Sequence, residues 1–148
     1  MLIRAAEPKD TARILDLIKG LAEYEKDLPA VKNTTAKLHD DLFVHNHCEA
    51  FVGLVKDEIV GFALYYTSYS TWKGPCIYLE DLYVEPKHRN TGMGSKLFDH
   101  VVNVAKERKV SRMDWQIIDW NLPAIDFYKR KNAVIDDEWL NGRLFFEE

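Results

Sequence analysis

Apolar residues recur along this chain in two different periods, and the places where one period gives way to the other mark its elements. Residues 2–5 form a short first strand. Pro8 and Asp10 then open a helix in which Ile14, Leu17, Ile18 and Leu21 return at helical spacing, the signature of a single buried face. It runs through Glu23, Tyr24 and Glu25 until Pro29 closes it. A second helix is predicted over residues 35–45, with Thr34 or Thr35 as N-cap and Leu38, Leu42 and Phe43 inward. Residues 50–55 and 59–69 read as strands joined by the polar hairpin Lys56-Asp57-Glu58. After the connection 70–75, a third strand over 77–84 completes a meander, and Pro86 ends it by withholding an N–H.

Helical spacing resumes at Gly92 and lasts to about Lys109, with Leu97, Phe98, Val101 and Val102 on one side. Met113, Trp115 and Ile117 alternate as another strand. A helix over 123–131 carries Ala124, Phe127 and Tyr128, with Pro123 in its first turn and Asn132 at a left-handed C-cap position. Short strands near Val134 and over 143–146 finish the chain. No linker, repeat or low-complexity segment divides it, so the expectation is one α/β domain over 1–148.

Composition narrows the partners. At 148 residues and 47% hydrophobic the chain is one domain in size and buries a real core. A net charge of −4 argues against nucleic acid, whose binders are basic, and suits a cationic substrate. No apolar run has the ~18 residues of a membrane span, and the Met-Leu-Ile-Arg start lacks a signal peptide's basic end and apolar centre. A cytoplasmic protein without a membrane partner is expected, with Cys48 and Cys76 as reduced thiols. His45-Asn46-His47-Cys48 lacks the further ligands that a closed metal site needs, so it reads as a polar loop, and no metal is expected.

The chemistry concentrates in residues 77–95, where a strand turns through a basic, glycine-spaced loop into a helix. Gly92 and Gly94 let backbone come close to a ligand, the helix start favours an anion, and Arg89 adds a full positive charge. The loop lacks the Lys-Ser/Thr ending of a P-loop and the Gly-x-Gly-x-x-Gly of a dinucleotide fold. Arg89-Asn90-Thr91-Gly92-Met93-Gly94 resembles instead the Arg/Gln-x-x-Gly-x-Gly/Ala pyrophosphate loop of the GNAT acetyltransferase superfamily. Leu21-Ala22-Glu23-Tyr24-Glu25, Tyr78-Leu79-Glu80-Asp81-Leu82-Tyr83-Val84, Asp119-Trp120-Asn121 and Phe127-Tyr128-Lys129-Arg130 extend the likeness to the spermidine/spermine (diamine) and thialysine N-acetyltransferases. The segment from Tyr69 through Gly74 and the Asp-Trp-Asn triplet look more like the thialysine branch.

This resemblance implies a GNAT fold, a central mixed and mostly antiparallel twisted sheet flanked by about four helices. It also implies acetyl-CoA as cosubstrate, and a homodimer to which the C-terminal strands contribute. By the same likeness Arg89, Asn90, Thr91, Gly92, Met93, Gly94 and Ser95 hold the pyrophosphate, main-chain groups of Leu82, Tyr83 and Val84 pair with pantetheine, and Asn121 touches it from the other side. An alkylamine of pKa about 10.4 is neutral in only about one molecule in a few thousand at pH 7, a deficit of about 4 to 5 kcal/mol. Glu80 is the implied carboxylate that takes the proton, directly or through water, and Tyr128 the implied acid that protonates the leaving thiolate. A backbone N–H near Leu82 would hold the carbonyl oxygen.

Tyr24, Glu25, Glu80, Asp81 and Trp72 are expected to meet the amine, with Ser70 and Thr71 available to an amino-acid head group; each of the last two is equally good turn chemistry. Asn90 and Asn132 stand where the family commonly has glycine. Two other readings stay open, a peptide amine acetyltransferase and a non-catalytic acyl-CoA-binding module. Retention of both Glu80 and Tyr128 argues against the last.

Overall fold

A computed structural model of the chain describes residues 1–146; the last two positions of the expected 1–148 domain lie outside the described residues. Contacts group the chain into two compact units, Met1–Gln116 and the segment from Ile117 onward.

The first unit carries a five-stranded sheet in the order β1 (Leu2–Ala5), β2 (Glu49–Val55), β3 (Glu58–Ser70), β4 (Gly74–Val84), β5 (Met113–Asp114). The first four strands pair antiparallel and β5 joins β4 in parallel, the mixed, mostly antiparallel sheet expected. Three helices belong to this unit, α1 (Thr11–Tyr24), α2 (Thr35–Phe43) and α3 (Met93–Glu107), and α4 (Leu122–Arg130) lies in the second. Among the described residues no helix is long and apolar enough to cross a membrane.

Helical spacing in the sequence becomes packing here. Ile14, Leu15 and Leu17 of α1 and Leu38 and Leu42 of α2 form one buried cluster with Val52, Leu54, Phe62, Leu64 and Tyr83 of the sheet. Between Val52 and Leu54 stands Gly53, paired with Gly61 across β2 and β3. This glycine pair makes room for α3, because a Cβ at Gly53 would overlap Met93 Sδ, and one at Gly61 would reach 3.2 Å from Leu97 Cδ1. Trp115 closes the layer edge-on against Phe98, centroids 5.4 Å apart.

Two ion pairs fasten α1. Arg4 grips the buried Asp10 at 2.7 and 3.1 Å, and Asp10 also accepts from the Glu7 N–H. Farther along, Arg13 reaches Glu85 at 2.7 Å and the Ile59 carbonyl at 3.0 Å, tying α1 to the end of β4.

Several boundaries move. α2 stops at Phe43 rather than His45, and β4 begins at Gly74 and takes in Pro75. Pro75 is tolerated because β5 joins only from Ile77, leaving its missing N–H on an unpaired edge. The strand expected through Met113, Trp115 and Ile117 shrinks to Met113–Asp114, since parallel pairing stops at Tyr78↔Asp114. The strands expected near Val134 and over 143–146 do not form among the described residues. Val134, Leu140 and Leu144 are at least 83% exposed. Strand-type side chains alone do not make a strand, which exists only when its main chain finds a ladder partner.

The β2–β3 hairpin turns on Lys56 and Asp57, both at positive φ (51° and 65°), between Val55 and its partner Glu58. This is the two-residue turn whose backbone favours Asn-Gly. Replacing the pair by Lys56→Asn with Asp57→Gly is expected to raise unfolding free energy by about 0.5 to 1.5 kcal/mol. Urea denaturation checks it through a higher midpoint at unchanged slope.

Candidate active site

β4 organises the site, and one irregularity in it decides what is presented. Leu64 pairs with Asp81 and Tyr65 with Leu79, so Glu80 has no partner across the ladder and forms a bulge. The bulge resets the alternation. Leu79 is buried, Glu80 is exposed, Asp81 and Leu82 are half-buried, and Tyr83 returns to the core. On its other side β4 has left β5 after Tyr78, so among the described residues the edge from 79 to 84 carries no ladder. An unpaired strand edge offers alternating N–H and C=O groups to an extended ligand.

Charge gathers around the bulge. Burial first, then Glu80 and Glu25, push the Asp81 carboxyl up to about 7. Burial also raises Glu25 at the C-cap of α1, where its N–H bonds the Leu21 carbonyl at 2.9 Å and the helix dipole is unfavourable to an anion. Tyr66 and Tyr78 pair across the strands with centroids 5.3 Å apart, and burial, then Glu80, raises both phenols. Sequence alone makes these two tyrosines sheet residues; the cross-strand register sets them face to face, and both feel the charge of Glu80.

Past β4, a 3-10 turn at Pro86–His88 leads into the glycine loop. Asn90 and Gly92 are left-handed, at φ +62° and +90°. Asparagine is among the residues that best tolerate this conformation, so it stands in for glycine at position 90. Thr91 Oγ1 donates to the His88 carbonyl at 2.6 Å and tightens the turn. Gly92 is the N-cap of α3 and has no side chain to satisfy the helix's first N–H groups. A Cβ at Gly92 would meet nothing within 4 Å, and one at Gly94 only Val84 Cγ2 at 3.8 Å, so the cradle is open to a ligand. Met93 is 1% exposed; its side chain belongs to the core and only its main chain faces the loop. Arg89 donates from Nε to the Val84 carbonyl at 3.0 Å and lies over the rings of Tyr24 and Tyr83.

The remaining expected residues divide. Glu25, Glu80 and Asp81 belong to one region, linked by the electrostatic couplings above, while Tyr24 lies under the Arg89 guanidinium. Ser70, Thr71 and Trp72 occupy the β3–β4 hairpin tip, and Glu80 stands six positions beyond Gly74 in β4, about 20 Å along the strand. Ser70 Oγ accepts from the N–H groups of Trp72 and Lys73 at 3.2 and 3.1 Å, which is turn chemistry, and Trp72 is 91% exposed.

In the second unit, Asn121 caps α4 by accepting from the Ala124 N–H at 3.3 Å. Tyr128 lies in the helix edge-on to Phe127, centroids 5.1 Å apart. The helix ends as expected at Asn132, φ +65°, where the N–H groups of Asn132 and Ala133 bond the carbonyls of Lys129 and Tyr128.

Among the described residues no three His, Cys, Asp or Glu side chains group as metal ligands. His45 and His47 stack loosely at 5.5 Å, and burial pushes the Cys48 thiol up to about 11.

Comparison with known proteins bears on the family and the fold. The sequence model of the acetyltransferase (GNAT) family matches residues 14–132. A thialysine N-epsilon-acetyltransferase of Bos taurus is 42% identical over 142 residues, covering 90% of this chain and 84% of that protein. One from Caenorhabditis elegans is 33% identical over 140 residues, covering 93% and 87%. Among solved structures, an aminoglycoside acetyltransferase from an uncultured soil metagenomic sample superposes with a TM-score of 0.81 at 20% identity, over 99% of this chain and 96% of that one.

The raised carboxyl of Asp81 sets a pH dependence of stability. Its folded pKa, about 7 against an ordinary 3.8, means that the folded state binds more protons than the unfolded state between these values, so stability falls as pH rises through that window. The melting temperature is expected to drop from pH 5 to pH 8, and Asp81→Asn to flatten most of that drop. Thermal melts across the range check it, and a parallel decline in the variant would count against the assignment.

Proposed function

This chain belongs to the acetyltransferase (GNAT) family, and from that premise we propose that it moves an acetyl group from acetyl-CoA to a primary amine of a small polyamine, diamine or lysine-like substrate. Within this range the thialysine-type acceptor is favoured by the names of the relatives above. The observation that carries the reading is the unpaired β4 edge, bulged at Glu80 and followed, through the glycine loop, by a helix start with no side-chain cap.

The cosubstrate supplies the activated acetyl thioester. Main-chain groups of Leu82, Tyr83 and Val84 bind its pantetheine arm, the loop from Arg89 through Ser95 holds the pyrophosphate, and Asn121 contributes from α4. Glu80 receives the ammonium, directly or through an ordered water. Asp81 sits beside it as a second proton acceptor. An ordinary carboxylate lies about 6 pKa units below an alkylamine and faces roughly 8 kcal/mol uphill. Asp81, near 7, reduces this to about 5 kcal/mol. The N–H of Leu82 steadies the developing negative charge on the carbonyl oxygen, and Tyr128 Oη gives a proton to the departing sulfur. Tyr24 and Glu25 border the amine's distal cation.

We further propose a single cytoplasmic acetyltransferase domain over 1–148 that works as a homodimer. Supporting the dimer is the series Val134, Leu140, Leu144 and Phe146, each at least 83% exposed, strand-type residues that a ladder partner in a second copy would cover. Light scattering after gel filtration is expected to give twice the chain mass, and a monomer at micromolar concentration would remove the proposal.

The activity is tested by free-thiol release from acetyl-CoA with putrescine, spermidine, spermine, thialysine, lysine and a short lysine peptide. Turnover with a small amine, thialysine first, is expected, and Tyr128→Phe should lower kcat by about 10²- to 10⁴-fold with CoA binding intact. Turnover with the peptide alone would move the assignment to a protein acetyltransferase, and tight acetyl-CoA binding without turnover would leave a binding module.

A further inference from the structure

Resting on the acyl-CoA reading above, we propose that Tyr24 is a positioning residue for the pyrophosphate loop, its ring and that of Tyr83 clamping the Arg89 guanidinium where it meets the cofactor's phosphates. Tyr24 entered the picture as a contact for the amine. Its neighbours in the structure point to the cofactor side.

Three contacts hold the guanidinium. Nε donates to the Val84 carbonyl at 3.0 Å, and the guanidinium carbon lies 5.0 Å from the Tyr24 ring centroid and 5.5 Å from that of Tyr83, within cation–π range. Using Nε on Val84 leaves the terminal nitrogens of the fork for an anion. Among the described residues no carboxylate pairs with Arg89, so its charge is not spent internally.

The two rings differ in rigidity. Tyr83 is buried against α1, so closely that a Cβ at Gly20 would come 2.9 Å from its hydroxyl. It is a fixed wall. Tyr24 is the last residue of α1 and 36% exposed, so its ring closes the clamp from the solvent side. Arginine carries many rotamers in solution, and freezing them on binding weakens affinity by about two- to tenfold per side chain unless it is done beforehand. The clamp does it beforehand. Because Glu25 follows Tyr24 directly, the end of α1 supports both the phosphate loop and the acidic acceptor region.

The test is CoA affinity by titration calorimetry on the intact chain, with no amine present. Tyr24→Leu is expected to weaken CoA about three- to tenfold, Tyr24→Phe, which keeps the ring, to stay within about twofold, and Arg89→Ala to weaken it more than either. Adding Tyr24→Leu to Arg89→Ala should cost nothing further, because the clamp then has nothing to hold. Tyr24→Gln repeats the ring removal should the leucine variant fold poorly. An undiminished effect of Tyr24→Leu in the Arg89→Ala background, or none in the wild type, overturns the proposal. Absence of CoA binding by the wild type would bring down the acyl-CoA reading itself, a result separable from the other two.

Discussion

The parting of β4 from β5 is the constraint on which the site depends. Parallel pairing lasts only from Ile77 to Tyr78, and two positions later the ladder with β3 is interrupted at Glu80. A strand paired on both sides to its end would have its N–H and C=O groups consumed by the sheet. Here the last part of β4 is held on the β3 side, which keeps it rigid, and left open on the other, which keeps its main chain available. The bulge adds a second effect, because an extra residue turns the following side chains over. It places Glu80 outward and brings Tyr83 back to the core, where it fixes both α1 and Arg89.

Close approach of backbone to backbone does the rest of the positioning. Gly53 and Gly61 pair across the sheet beneath α3, letting Met93 and Leu97 sit directly on it. The start of α3 is thereby anchored from below by Met93 while Gly92 and Gly94 stay open above. Positive φ at Asn90 and Asn132 explains why asparagine appears in two places where glycine is the common solution. At both, the requirement is a left-handed backbone, and asparagine meets it at modest cost.

Electrostatics around Glu80 follow from burial more than from net charge. Glu25, Glu80 and Asp81 are crowded at the meeting of α1 and β4, and Asp81 responds by holding its proton to about pH 7. A site of this kind attracts a cation and can also accept its proton, two tasks that a solvated carboxylate of ordinary pKa performs unequally.

Element order, the meander, the amphipathic faces of α1, α2 and α3, the phosphate-type loop and the left-handed end of α4 were all legible in the sequence, because each is set by local periodicity or by the φ preference of a single residue. The last strands were not: Val134 and the 143–146 stretch have strand-type side chains, but a strand is a property of two segments and the described chain offers them no partner. The bulge at Glu80 was equally invisible, since register is fixed by the facing strand and not by the bulged one. With it went the raised pKa of Asp81, the tyrosine pair beside Glu80, the 20 Å or so between Glu80 and the hairpin tip, and the clamp on Arg89. Sequence alone determined which residue types were available for the chemistry and in what order. Tertiary structure decided which of them meet, because burial, register and close approach are set by segments far apart in the chain.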